Sequence, residues 1–202
     1  MILVICCFGL KKKIDPEYDK YLDLCIGRAV DRYALRSGKT VTVIVSGGRT
    51  DQRYPRVSAA ETVASYIIQE LTRQLGKEAD EISIILEEGS FTIPANMVKS
   101  MRLLDVRRII DRNSEFSYDI VFFTDVLRVP MVNAGIRWLR KWYEKDPARI
   151  RFLVEGCERT DNSRPNKWKE SWRERITAWW CARSEEKFLE DAGHLPMGSE
   201  LG

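Results

Sequence analysis

The 202-residue sequence predicts a three-layer α/β fold with a mostly parallel five-stranded sheet. Three observations predict it. Short apolar runs, rich in Val and Ile, recur along the chain. Helical patterns, with apolar residues at three- and four-residue spacing, alternate with them. Polar loops stand at the ends of three of the runs, before the helix that follows.

Residues 2–8 form a continuous apolar run, the pattern of a strand covered on both faces. It is too short to cross a membrane and is not preceded by the basic residues of a signal peptide. Lys11, Lys12 and Lys13 follow it, as a solvated loop or an attractor of anions. Residues 16–36 are helical, with Tyr18, Leu22, Cys25, Ile26, Ala29, Val30 and Tyr33 on one face. Asp15 is a natural cap, Pro16 suits the first turn and Gly38 ends the helix. Residues 40–45 are almost wholly β-branched, as in a central strand. The strand runs into Ser46-Gly47-Gly48-Arg49 and a polar loop to residue 57 that also holds Arg53 and Arg56.

A second helix spans residues 58–75, with Val63, Ile67, Ile68 and Leu71 as its apolar face and Gly76 as its stop. Residues 82–86 are the third strand, residues 87–94 a polar loop and residues 95–110 a helix. Residues 119–124 are the fourth strand, with an exit loop at 125–130 and a helix at 131–143. Residues 150–154 are the fifth strand, and 158–167 are polar and irregular. The last helix is expected over residues 168–190. Trp168, Trp172, Ile176, Trp179 and Trp180 share one of its faces, a pattern that usually marks core contact and otherwise a subunit interface, here of a homodimer. Residues 1–191 read as one domain and 192–202 as a frayed tail.

The net charge of +3 argues against a dedicated nucleic-acid binder. Five cysteines without a C-x-x-C pair read as reduced, mostly buried thiols of a cytoplasmic protein. The sole histidine, His194, is near the tail, so neither a zinc site nor a Ser-His-Asp triad is expected. Nothing in the sequence demands a metal.

In an open parallel sheet, ligands bind where strands end and helices begin. The first such loop offers Ser46, Gly47, Gly48 and Arg49, with paired glycines that let backbone approach a ligand. Ser58-Ala-Ala-Glu61 is a capping-box pattern at the next helix start, and that start should also face the cleft. The second loop gathers Glu87, Ser90, Thr92 and Asn96; Thr92 can equally cap a helix with Pro94 in its first turn. The third holds Thr124, Asp125 and Arg128. Acid–base chemistry would fall to Glu61, Glu87, Glu88 or Asp125. Arg49 and Arg128 suit anionic groups.

Strand-Ser46-Gly47-Gly48, a helix opened by Ser58, Glu87-x-x-Ser90 with Asn96, and a strand ending in Thr124 together resemble the ElyC/SanA/YdcF family. The resemblance covers residues 2–139. It implies a Rossmann-like α/β/α sandwich with its cleft at the carboxyl ends of the strands. It also implies a link to envelope or cell-wall metabolism and, from one branch of the family, S-adenosylmethionine as a candidate ligand. The polar groups that converge on one sheet edge, with Arg49 and Arg128, give the expectation of a nucleotide-like or phosphorylated ligand. The chain departs from the family pattern at Ala59, Ile93, Arg128 and Met131; Arg128 stands where the family has a histidine. The expectation is a cytoplasmic small-molecule-binding protein. A non-catalytic scaffold using the Trp-rich helix, or a carboxylate-dependent phosphoryl or glycosyl enzyme, are the alternatives.

Overall fold

Two strands are buried at every position, β1 (Ile2–Cys6) and β2 (Val41–Ser46), and both are inner strands of the sheet. β3 (Ile82–Glu87), β4 (Ser117–Asp125) and β5 (Arg149–Cys157) complete a sheet of order β3-β2-β1-β4-β5, parallel at every pairing. The computed structural model describes residues 1–7, 11, 16–32, 41–49, 55–146, 148–158 and 167–193. Gly38, Lys12, Lys13, Arg53, most of the irregular 158–167 segment, His194 and the rest of the tail lie outside them.

Parallel neighbours need crossovers, and helices supply them. Side chains alternate across a strand, so each apolar run serves two cores. Leu3, Ile5, Val43, Val45, Val121 and Phe123 pack beneath α1 (Pro16–Arg32) and α2 (Ala59–Leu75). Ile2, Val4, Ile44, Ile85, Ile120 and Phe122 meet α3 (Ile93–Val106) and α4 (Val129–Tyr143) on the other face. This is the three-layer sandwich the sequence predicts. The helix starts are encoded locally. Ser58 Oγ accepts from the Glu61 N–H at 3.0 Å, and Thr92 Oγ1 from the Ala95 N–H at 3.2 Å. Gly76 caps α2 at φ +60°, a conformation glycine reaches without strain. Ile68 is not on the inner face of α2; it is half exposed.

Two expectations about the C-terminal region are corrected. The stretch at 168–190 is not one helix but two, α5 (Lys167–Arg183) and α6 (Glu185–Asp191). Ser184 breaks it, with extended backbone (φ −130°, ψ 115°) and an Oγ that accepts from the Lys187 N–H at 3.1 Å. The turn lets Phe188 enter the core, its ring 5.9 Å from that of Trp142. The tryptophan face is not core contact either. Trp172, Ile176, Trp179 and Trp180 are about half exposed, while Ala178 and Cys181 are buried on the opposite side of α5.

Candidate functional site

The order β3-β2-β1-β4-β5 reverses direction between β1 and β4, and ligands of such sheets gather beyond the strand ends at that point. Three strands run one residue further than expected, so Ser46, Glu87 and Asp125 each end a strand. The register lines up Glu87, Ser46 and Cys6 across β3, β2 and β1. Ile5 pairs with Phe123, so Thr124 extends the row on β4. Alternation turns Glu87, Ser46, Cys6 and Thr124 to the face of the sheet that α3 covers. A polar line therefore runs under the first turns of α3, where Asn96 sits.

On the β2–β3 side this line is closed upon itself. Ser46 Oγ donates to Glu87 Oε2 at 2.6 Å, Ser90 Oγ donates to the same oxygen, and the Gly89 N–H donates to Oε1 at 2.8 Å. Glu87 is 6% exposed. The glycine turn is locked to the same loop: the Gly47 N–H donates to Glu87 O at 2.9 Å and the Gly48 N–H to Ser90 O at 2.6 Å. A Cβ on Gly48 would stand 2.5 Å from Ser90 O, and one on Gly47 2.6 Å from Cys7 Cβ. Glycine is thus required here for close backbone approach. Ser58 Oγ, besides capping α2, donates to Glu88 Oε1 at 2.6 Å. The side chains of Glu61 and Arg49 are exposed and outside this network among the described bonds.

The β4 side is different. Asn96 Oδ1 and Thr124 Oγ1 are buried and have no hydrogen-bond partner among the described residues. Between the two sides lies Cys6. Burial pushes its thiol up to about 12, against the opposing pull of neighbouring Asn96 and Arg128. Burial likewise raises Cys7. These thiols stay protonated near neutral pH and are poor nucleophiles. Tyr21 closes the crevice from the α1 face, its hydroxyl 3.2 Å from Cys6 O and 3.4 Å from Phe123 O.

Beyond β4 a cavity of about 720 Å³ opens. Asp125 and Arg128 line it; Asp125 also accepts from the Leu127 N–H at 3.0 Å, which starts a 3-10 turn (Val126–Arg128). Phe91, 65% exposed, lies at its edge beside Thr92. The far wall is α5 and α6, with Arg173, Glu174, Thr177 and Lys187. Arg128 Nε lies 3.7 Å from Glu174 Oε1, and Lys187 Nζ 2.9 Å from Glu190 Oε2. Thr92 Oγ1 donates to Asp191 O and ties this wall to the second loop.

The sequence-derived residues therefore divide. Ser46, Gly47, Gly48, Ser58, Glu87 and Ser90 form one bonded block. Asn96 and Thr124 are buried beside it, and Asp125 and Arg128 face the cavity. Phe91, Arg173 and Lys187 were not singled out from the sequence. Arg173 and Thr177 at i, i+4 on the charged side of α5 were the available signal. Lys11, by contrast, is held by Asp19 at 2.7 Å and lies over the Tyr66 ring. No set of three or more His, Cys, Asp or Glu side chains among the described residues is placed to hold a metal ion. No described helix is long and apolar enough to cross a membrane. The chain matches no protein-family model, no curated protein and no solved structure.

Proposed function

We propose that this chain binds an anionic small molecule, nucleotide-like or phosphorylated, in the cavity beyond β4. The observation that carries the reading is that cations from three elements line one cavity, Arg128 from the turn after β4, Arg173 from α5 and Lys187 from α6, among the carboxylates of Asp125, Glu174 and Asp191 that an anionic ligand would displace as their partners. Guanidinium groups make paired hydrogen bonds to phosphate oxygens. Phe91 gives an aromatic face for a base or sugar. The orphaned oxygens of Asn96 and Thr124, one strand end away, add polar recognition. S-adenosylmethionine, which has no phosphate and carries a net positive charge, fits this scheme less well than a nucleotide or a sugar phosphate; a divergent ElyC/SanA/YdcF-like chain fits the order of Ser46, Glu87, Ser90, Asn96 and Thr124 along one sheet edge. Five buried free thiols go with a cytoplasmic setting. If the site is catalytic, Asp125 is the carboxylate best placed to act, because Glu87 already accepts three hydrogen bonds and Glu61 lies outside the polar line.

The test is a thermal-shift and calorimetric screen with ATP, S-adenosylmethionine and a sugar phosphate. A ligand that binds the folded chain raises its melting temperature by mass action. Arg128→Ala and Arg173→Ala should each weaken binding about tenfold or more. Undiminished affinity in the double variant would move the site elsewhere. A second reading, a non-catalytic member acting through its Trp-rich helix as a homodimer or with another partner, has the exposure of Trp172, Trp179 and Trp180 behind it.

A further inference from the structure

Helix α5 is packed with its small residues inward and its large ones outward. Ala178 and Cys181 are buried, and Trp138 Nε1 of α4 donates to Cys181 O at 2.7 Å. The opposite face carries Trp172, Ile176, Trp179 and Trp180, each 48–54% exposed. Three indoles thus keep about half of their surface exposed on one face, and an exposed apolar patch of this kind marks an interaction surface.

The charge on the face says what it fits. Arg175 borders the same shallow depression as the four apolar side chains, and the Arg183 guanidinium carbon lies 3.7 Å from the Trp179 ring centroid. Helical spacing puts residues 172, 175, 176, 179, 180 and 183 on one side, and none of them is Asp or Glu. We infer that this face docks on an anionic phospholipid surface. Indoles settle at headgroup level, where an apolar ring and a polar N–H are both satisfied. Arg175 beside the indoles, and the N–H edge of the Arg183 guanidinium stacked on Trp179, are the groups that would meet the phosphates. The face runs about 16 Å along the helix axis, which suits a helix lying in the interface plane.

Two other occupants fit less well. A second copy related by a two-fold axis brings a face with cations and no anions against itself, and like charges meeting across an interface are unfavourable. Single-stranded nucleic acid needs open ring faces for stacking. Here Arg183 covers one face of Trp179, and Trp180 stands edge-on to it at 4.7 Å and 90°.

The full chain should co-sediment with vesicles of phosphatidylcholine mixed with phosphatidylglycerol, with a blue shift of tryptophan emission, and far less with phosphatidylcholine alone. Each basic side chain near an anionic surface is worth roughly fivefold in affinity, so Arg175→Glu/Arg183→Glu should lower binding by about twentyfold or more. Trp179→Ala/Trp180→Ala should lower it by at least about tenfold. Circular dichroism checks both variants, and the exposed arginine pair decides the matter if the tryptophan pair fails to fold. Equal binding to the two kinds of vesicle, no binding to either, or unaltered binding in the arginine variant overturns the proposal. So does a blue shift that follows protein concentration without vesicles, together with a dimer by light scattering.

Discussion

The β2–β3 end of the sheet and the β4 end carry similar residues to opposite effect. At the first, Ser46, Ser90 and the Gly89 N–H all converge on Glu87, and both glycine N–H groups are bonded to the same loop. At the second, Asn96 and Thr124 keep buried oxygens without a partner among the described residues, and Asp125 and Arg128 border a cavity. Buried polar groups that satisfy one another hold backbone in place; those left over are groups a ligand can complete. The serine–glutamate motif is therefore bonded within the fold, and the buried oxygens without a partner among the described residues stand toward β4.

The two ends should differ most at Glu87. Glu87→Ala strands two hydroxyls and an N–H in a buried setting, so urea unfolding should show a loss of about 3 kcal/mol or more. A loss within experimental error would mean that the β2–β3 end is no clamp. Cys6 tests the seam between the halves. Its thiol is raised from 9.0 to about 12, so the folded chain keeps a proton that the unfolded chain releases above about pH 9. Below that pH the two states bind the proton alike and the full stability is present. Above it stability falls, by up to about 1.4 kcal/mol per pH unit from Cys6, until pH reaches about 12. Cys6→Ala should flatten the alkaline slope of the unfolding free energy; an unchanged slope would assign the loss to other buried groups. Ser58 should give the smallest effect. Ser58→Ala removes the α2 cap and the bond to Glu88, for about 1 kcal/mol in the same assay, with ligand affinity at the β4 cavity unchanged. A drop in affinity as large as that of Arg173→Ala would join the two ends into one site.

Much of this was legible in the residues. The strands and the helices through α4 follow from apolar period and from caps such as Ser58, Thr92 and Gly76, which act within a few residues of themselves. Site candidates at strand ends were legible for the same reason, since a parallel sheet puts those ends on one edge.

What the sequence determined by itself is local: which segments are strand or helix, and that Ser46, Glu87, Thr124 and Asp125 stand at strand ends. The tertiary structure decided the rest. Period shows that Trp172, Ile176, Trp179 and Trp180 share a face, but not whether that face or the small-residue face of Ala178 and Cys181 meets α4. Nor does it show that Ser184 starts a separate α6, whose Lys187 lines the same cavity as Arg173 and Arg128. Those outcomes depend on contacts between segments far apart in the chain, and no local pattern encodes which buried polar groups find each other and which do not.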